Sequence, residues 1–297
     1  MRNYLDYLRR IRNEGLYKSD RTGTGTYSLF GQQMRFDLRK GFPILTTKYV
    51  SFKTVVSELL WFLSGSTNNH DLWKMNGCPV NKDGSPRHTI WEEWSLADGN
   101  LGAMYGKQWR HFGGYPSSDG VPGHWDGGID QIKLALDMLH SRPDSRRIVI
   151  SAWSPEDLPD ESDSPQDNIL KGRAALAWCH TSFQFYVAEE RLSCLLYARS
   201  QDSFLGTPYN ISSYSLLTHM VAQQAGLEVG DFIWTGGDCH IYANHLDQVD
   251  LQIDREPLPL PKLIIKRKPV SILDYKVDDF ELQDYQFHPS IPASVAV

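Results

Sequence analysis

AWCHTSFQFYVAEERLSCLLYARSQD, residues 177–202, contains two runs in which apolar and polar side chains alternate. The runs cover residues 180–187 and 192–199, and residues 188–191 separate them. Alternation with a period of two is typical of strands that bury one face, and a short polar link between two such runs predicts an antiparallel hairpin. The hairpin is expected to bring the residues before its first strand close to the end of its second strand.

The residues at those two places carry chemistry. Cys179 stands beside His180 before the first strand, and Arg199, Ser200 and Asp202 end the second strand. A cysteine becomes a nucleophile when a neighbouring cation favours its thiolate form, and an arginine next to a serine can hold a phosphate. The pattern therefore predicts covalent chemistry on a phosphorylated small molecule, with Cys179 as the nucleophile.

Composition limits the other function classes. The 297 residues are 41% hydrophobic, enough for a sizeable core, and the net charge is −6. An acidic balance argues against a nucleic-acid binder, because affinity for the phosphate backbone comes from Lys and Arg. No apolar run approaches the length of a membrane span, which predicts no membrane partner. The four cysteines form no CxxC pair, so we expect free thiols in a reducing, cytoplasmic compartment and no bound metal.

Three further features are candidate binding elements. Residues 20–26, DRTGTGT, offer backbone N–H groups, hydroxyls and one arginine, which suits either a phosphate cradle or an ordinary turn. Glu58 falls on the apolar face of a predicted helix, where burial would raise its pKa and suit it to proton transfer; the edge of the apolar stripe is the alternative. Trp91 and Trp94 lie one helical turn apart, which suits core packing or an aromatic wall for a ring system.

Arg146 and Arg147 open a predicted strand over residues 146–153. Adjacent residues of a strand point to opposite faces, so both arginines cannot easily bind one ligand of their own subunit. We therefore expect one of them to serve a neighbouring subunit. The predicted strands form a mixed sheet packed against long helices, which indicates a single α+β domain.

Many separate stretches, in family order, make the chain similar to the folate-dependent thymidylate synthase family over nearly its whole length. The matching stretches are DRTGTGT (20–26), FPILTTK (42–48), ELLWFL (58–63), IWEEW (90–94), YGKQWR (105–110), DSRRIVISAW (144–153), RSQD (199–202), FLGTPYN (204–210), GGDCHIY (236–242) and VAV (295–297). The resemblance implies one catalytic domain over residues 1–297, with insertions near 76–88 and 158–172. It also implies an obligate homodimer with a sheet face at the dimer interface.

The resemblance assigns roles to individual residues. It implies that the catalytic residues are Cys179, Glu58, Tyr105, Asn210, Asp202 and His180. It implies that dUMP is bound by Arg21, Arg199, Ser200, Asn210, His240 and Tyr242, with Arg146 and Arg147 reaching the phosphate from the other subunit. It implies that 5,10-methylenetetrahydrofolate, the co-substrate, is bound by Lys48, Ile90, Trp91, Trp94, Asp202, Leu205, Gly206, Tyr209 and Val297.

The family's chemistry implies attack of Cys179 at uracil C6, which makes C5 nucleophilic towards the folate's one-carbon unit. Hydride from the folate then gives dTMP and dihydrofolate, whereas attack by water would give 5-hydroxymethyl-dUMP. The second outcome, a dUMP hydroxymethylase, is the alternative, because Trp178, Ala198 and Tyr209 replace the family's usual Pro, Gln and Phe. The tryptophan pair 91/94 and the terminal VAV favour the synthase.

Asn210 favours uracil over cytosine, because cytosine-specific relatives carry Asp at that position. A side activity in RNA binding would need a basic face, and a sequence pI of about 5.9 gives it no support.

Overall fold

The computed structural model describes residues 1–20, 22–87 and 89–295. The helices of these ranges are α1 (Arg2–Glu14), α2 (Phe52–Ser64), α3 (Asn69–Met75), α4 (Tyr105–Arg110), α5 (Gln131–Ser141), α6 (Pro165–Leu170), α7 (Gly206–Ala225) and α8 (Leu246–Ile253). The strands are β1 (Leu16–Lys18), β2 (Thr26–Asp37), β3 (Tyr115–Pro116), β4 (Trp125–Asp126), β5 (Val149–Ser151), β6 (His180–Ala188), β7 (Arg191–Asp202), β8 (Glu228–Tyr242), β9 (Lys262–Ile265) and β10 (Phe280–Gln283).

The main sheet has the strand order β1-β2-β8-β7-β6-β5. β1 and β2 pair antiparallel, as do β2 and β8, whereas β7 and β8 run parallel, so the sheet is mixed. This arrangement confirms the predicted α+β class. No helix within the described ranges combines the length and the apolar character needed to cross a membrane.

The chain groups into two compact units. The first comprises Met1–Phe52, Phe183–Lys268 and Asp278–Val297, and the second comprises Lys53–Ser182 and Pro269–Val277. In the first unit, α1 and α7 pack against β8, with α1 also on β2 and α7 also on β7. In the second unit, β5 lies beside the first residues of β6.

α7 owes its start and its end to local hydrogen bonds. At its start, Asp202 Oδ1 accepts from the backbone N–H groups of Phe204 and Leu205 at 2.9 and 3.0 Å, which satisfies donors that a helix N-terminus leaves open. At its end, Gly226 takes a φ of +72°, and the N–H of Leu227 donates to the carbonyl of Ala222. The side chains at the front of α7 are therefore fixed relative to the end of β7.

The second unit has a core of large aromatic side chains. Trp61 of α2, Trp109 of α4 and Trp178 are all fully buried. Trp178 packs edge-on against Trp153, with ring centroids 6.2 Å apart. The bulky residue that replaces the family's usual proline therefore lies in the interior of this unit. Of the two stretches expected as insertions, the second contains α6.

The hairpin predicted at residues 180–199 is confirmed, with a tighter turn than expected. β6 ends at Ala188 and β7 begins at Arg191, so only Glu189 and Glu190 form the turn. Their φ angles are +50° and +58°. A two-residue turn with both central residues left-handed matches the right-handed twist of the strands, but side chains with a Cβ reach that conformation only at a cost.

Replacing Glu189 with Asn and Glu190 with Gly is expected to raise the free energy of unfolding by about 2 kcal/mol, because Asn-Gly adopts this turn with little strain. Urea denaturation followed by circular dichroism measures the change. The matched control is Glu189→Gln with Glu190→Gln, which removes the same charges, including the exposed Glu189–Arg191 ion pair, but keeps both Cβ atoms. Equal stability of the two double variants would contradict strain in the turn.

Candidate active site

Cys179 lies directly before β6, and its main chain is held by one hydroxyl. The backbone N–H groups of Cys179 and His180 both donate to Tyr105 Oη, at 2.9 and 3.3 Å. Tyr105 belongs to α4, is buried, and packs its ring 4.8 Å from the His180 ring. Three residues that the sequence assigned to catalysis are thus brought together in the second unit.

The other cysteines are poor candidates for the nucleophile. Cys194 and Cys239 are buried, and burial raises the pKa of each thiol to about 12, so both stay protonated near neutral pH. Cys78 is exposed in a loop, whereas Cys179 is half-buried. Cys179 therefore combines access to a small molecule with a fixed main chain, and its assignment as nucleophile stays a prediction.

Glu58 lies on α2 and is held by the indole of Trp91. Trp91 Nε1 donates to Glu58 Oε1 at 2.8 Å. Burial raises the pKa of Glu58, and the hydrogen bond opposes this because it favours the charged carboxylate. The sequence expectation of a buried carboxyl group with a raised pKa is confirmed, and its role in proton transfer stays a prediction.

Trp91 and Trp94 occupy a short 3-10 helix, Ile90–Trp94, with their rings edge to face at 6.0 Å. Trp91 is 9% exposed and also contacts the rings of Trp61 and Tyr105. Core packing therefore accounts for most of the Trp91 surface, whereas Trp94 is only partly covered and Ile90 is 51% exposed. The partly exposed apolar surface of Ile90 and Trp94 is the part of this helix that a ligand ring could cover.

The prediction that Arg146 and Arg147 open a strand is wrong. β5 begins only at Val149, and both arginines lie exposed in the turn before it. The N–H of Arg147 donates to Ser145 Oγ at 3.2 Å, a bond of the turn that competes with strand pairing. Alternation therefore cannot assign the two guanidinium groups to opposite faces of a sheet.

The first unit carries the residues expected to bind a nucleotide. Arg199 and Ser200 lie near the end of β7, where Ser200 pairs with Asp238 of β8. His240 and Tyr242 lie two residues apart on β8, with ring centroids 5.2 Å apart. The structure thus brings together the two residues assigned to a ribose hydroxyl.

His240 is oriented by a carboxylate. Its Nδ1 lies 3.3 Å from Asp238 Oδ1, and Ser28 Oγ and Lys18 Nζ each donate to Asp238 at 2.6 Å. These hydrogen bonds, the one from His240 above all, hold the pKa of Asp238 below its usual range. An ionised Asp238 fixes the His240 ring through Nδ1, so Nε2 is the ring nitrogen presented to a ligand.

Sequence reasoning missed a residue that contacts Asn210. Asn210 Nδ2 donates to Gln201 Oε1 at 2.8 Å, and both side chains are buried. Gln201 stands between Ser200 and Asp202, which the sequence did assign, and its polar side chain at a buried strand position is the signal that could have revealed it.

Lys48 is buried, whereas a lysine that binds the charged tail of a folate at the protein surface would be exposed. Its Nζ donates to the carbonyl of Phe204 at 2.6 Å and lies 3.5 Å above the Phe204 ring. Burial lowers the pKa of Lys48 to about 7, although the nearby Asp202 opposes the shift. The structure therefore places Lys48 beneath the turn that contains Leu205, and a role at the folate tail stays a prediction.

Leu205 and Gly206 lie at the start of α7, and Tyr209 is half-buried one helical turn into it. Arg21 and Val297 lie outside the described residues. Within the described part of the chain, no cluster of three His, Cys, Asp or Glu side chains could hold a metal ion.

Comparison with known proteins covers the full length of the chain. The sequence profile of the family described as thymidylate synthase matches residues 2–297. The chain is 54% identical over 297 residues to a thymidylate synthase from Francisella philomiragia subsp. philomiragia, with the whole of both chains aligned. It is equally similar, with the same coverage, to a thymidylate synthase from Francisella tularensis subsp. holarctica.

Replacing Trp91 with Phe is expected to raise the pKa of Glu58 further, because the variant loses the N–H that stabilises the carboxylate. A ¹³C NMR titration of protein labelled at the glutamate carboxyl carbons measures it. Trp94→Phe is the matched control, since Trp94 does not donate the 2.8 Å hydrogen bond to Glu58. A pKa that stayed constant or fell in Trp91→Phe would contradict this account.

Proposed function

Because the chain belongs to the thymidylate synthase family, we propose that it transfers a one-carbon unit from 5,10-methylenetetrahydrofolate to C5 of dUMP and releases dTMP and dihydrofolate. The observation that carries this proposal is the accessible Cys179, whose N–H and that of His180 both donate to the Tyr105 hydroxyl. The full-length similarity to proteins named thymidylate synthase supports it.

Cys179 supplies the nucleophile. Its thiolate adds to C6 of the uracil ring, and the electron pair of the C5–C6 bond moves towards C4–O4, which makes C5 nucleophilic. The folate supplies the one-carbon unit that bonds to C5 and then the hydride that completes the methyl group. Between these two events the C5 proton is lost and the carbon–nitrogen bond to the folate breaks, which leaves a methylene group on C5; the hydride then adds to this methylene as the Cys179 thiolate leaves and the ring is restored. The chain must therefore hold the sulfur in place and move protons.

Tyr105 fixes the main chain of the nucleophile. Its hydroxyl oxygen accepts from two backbone N–H groups, so its own O–H is directed away from that backbone as a donor. In this proposal, that O–H orients the water that takes the C5 proton. The His180 ring, tilted by 30° against the Tyr105 ring at 4.8 Å, limits the rotation of the phenol ring.

Glu58 is the proton relay. Burial raises the pKa of Glu58, so this carboxyl group takes up and holds a proton more readily than an exposed glutamate does. Because Trp91 Nε1 occupies Oε1, the proton is exchanged at Oε2. Through water, Glu58 would serve the uracil O4 and the folate.

The nucleotide would be held by the polar ends of β7 and β8. Arg199 and Ser200, with Arg21, would bind the phosphate, as paired hydroxyl and guanidinium groups do. His240 and Tyr242 would bond the 3′-hydroxyl, since the Asp238 contact leaves His240 Nε2 to face a ligand. Asn210 would read the base, and Asp202 would contact the folate.

The methyl product is favoured over the hydroxymethyl product. The relatives that match along their full length are named thymidylate synthases. Trp178, which the sequence raised as a possible cause of a different product, is buried against Trp153. An interior position for this side chain gives no support to the admission of water beside the reacting carbon.

We also propose a homodimer in a cytoplasmic setting. Leu195 and Tyr197 point to one face of β7 and are each 39% exposed, and Tyr186 of β6 is 65% exposed. An apolar sheet surface of this kind is suited to a second copy of the chain. Arg146 and Arg147, exposed in their turn, would cross to the phosphate of the other subunit. The free thiols of all four cysteines support a reducing compartment.

Incubation with dUMP and methylenetetrahydrofolate is expected to yield dTMP and dihydrofolate, measured by chromatography and by the absorbance of dihydrofolate. Cys179→Ser should lower kcat by at least about a thousandfold while dUMP still binds, because a serine hydroxyl is far less acidic than a thiol. Cys78→Ser, an exposed loop position, is the matched control and should keep full activity. Hydroxymethyl-dUMP formed without dihydrofolate would contradict the proposed reaction.

Mixing inactive Arg147→Ala and Cys179→Ala proteins under conditions of subunit exchange is expected to restore about a quarter of the wild-type activity. Half of the exchanged dimers would be mixed, and each mixed dimer would have one site with both an intact Cys179 and an intact partner arginine. The control is a mixture of Cys179→Ala with Cys179→Ser, in which no site regains a thiol. Failure of the first mixture to exceed the second would show that Arg147 does not serve the other subunit.

A further inference from the structure

We propose that Gln201 and Trp234 are positioning residues that fix the orientation of the Asn210 carboxamide, and that this fixed orientation makes the base site accept uracil and reject cytosine. The inference rests on the proposed function, in which Asn210 reads the base of dUMP. All three residues lie in the first unit, on β7, β8 and α7 respectively.

The three side chains form one buried hydrogen-bonded chain. Gln201 Oε1 accepts from Asn210 Nδ2 at 2.8 Å and from Trp234 Nε1 at 3.2 Å. Asn210 is 6% exposed, Gln201 is 3% exposed and Trp234 is fully buried. Water therefore has little access to these groups, and each must find its partner within the protein.

Trp234 sets the direction of these hydrogen bonds. An indole N–H can only donate, so Gln201 must present its oxygen to Trp234. The same oxygen faces Asn210, so Asn210 must present its NH₂ group to Gln201. The Asn210 Oδ1 and the second hydrogen on Nδ2 are then the groups that Asn210 can offer to a ligand.

Those two groups match uracil. Uracil offers a donor at N3–H and an acceptor at O4, which complement Oδ1 and the second N–H of Asn210. Cytosine offers an acceptor at N3 and a donor at its amino group, so it would require the amide to turn over. Turning over would place Asn210 Oδ1 against Gln201 Oε1, two acceptors with no hydrogen between them. A mispaired buried group of this kind weakens binding by about ten- to a hundredfold.

Packing holds the Trp234 indole, so its N–H stays directed at Gln201. Its indole packs edge-on against the Tyr7 ring at 5.2 Å, and the Tyr7 hydroxyl lies 2.5 Å from Ser203 Oγ. A Cβ at Gly236 would lie only 2.3 Å from Trp234 Cη2, so the indole fills the space that a side chain at Gly236 would need. Packing against Tyr7 and against the backbone at Gly236 therefore supports the position of the indole N–H.

The test compares dUMP with dCMP for wild-type protein and for variants of the two positioning residues. Trp234→Phe keeps an aromatic ring but removes the donor, so Gln201 and Asn210 can turn over together and accept cytosine. The ratio of kcat/KM for dUMP to that for dCMP should fall by about ten- to a hundredfold, mainly through a gain with dCMP. Gln201→Leu removes the shared acceptor and should also lower the ratio. If one of the two variants fails to fold, the other still decides the test.

Two controls separate orientation from packing. Gln201→Glu keeps an acceptor for both N–H groups and should retain the wild-type ratio. Tyr7→Phe removes the neighbouring bond to Ser203 without touching the chain of amides, and any loss should affect both nucleotides equally. An unchanged ratio in both Trp234→Phe and Gln201→Leu, or an equal loss with both nucleotides, would overturn the inference.

Calorimetric titration of dUMP and of dCMP separates this inference from the proposed function. Wild-type protein that prefers dUMP in binding, loses the preference in Trp234→Phe, and yet forms no dTMP would overturn the proposed reaction and support the positioning role. Protein that forms dTMP but whose binding preference survives both substitutions would overturn the positioning role alone. Wild-type protein that binds neither nucleotide would overturn both.

Discussion

The backbone N–H groups of Cys179 and His180 share a single acceptor, the hydroxyl of Tyr105, and this pair of hydrogen bonds fixes the main chain of the proposed nucleophile to α4. α4 is in turn held by polar side chains directed into the protein. Lys107 Nζ donates to both oxygens of Asp157 at 2.9 and 2.8 Å, and Gln108 Nε2 donates to the same carboxylate at 2.8 Å. The two partners of this ion pair are only 5% and 13% exposed at their side chains, so its loss would leave a charge without compensation. These buried bonds anchor the short helix on which the position of Cys179 depends.

Buried polar groups also determine what the rest of the candidate site can do. Glu58 has a raised pKa because it is desolvated, and the Trp91 indole limits the shift by donating to Oε1. Lys48, with its pKa lowered to about 7, holds the Phe204 carbonyl beneath the turn into α7. Such groups stabilise the fold less than apolar side chains of the same volume would, but each fixes one atom in one direction. That directional constraint is what an active site requires and what an apolar core cannot supply.

The features that sequence reasoning predicted are those that depend on neighbours along the chain. The hairpin follows from alternation, the placement of Glu58 follows from helical periodicity, and the spacing of Trp91 and Trp94 follows from one helical turn. The arginines 146 and 147 were misplaced because the turn before β5, which Ser145 stabilises, continues through them. Gln201 was missed because its two partners, Asn210 and Trp234, come from separate elements and meet it only in the folded chain. Local periodicity carries no information about which buried donors will share an acceptor.

One departure from the family's usual sequence lies on the same strand as Gln201. The resemblance places a glutamine before Arg199, where this chain has Ala198, and a carboxamide appears instead at Gln201 on the same strand. Ala198 is fully buried and pairs in register with Gly236, the residue whose missing side chain makes room for the Trp234 indole. Two small residues side by side therefore allow a large donor-only ring to reach Gln201. Because an indole N–H can only donate, Trp234 determines that the oxygen of the Gln201 carboxamide is the atom that faces Asn210.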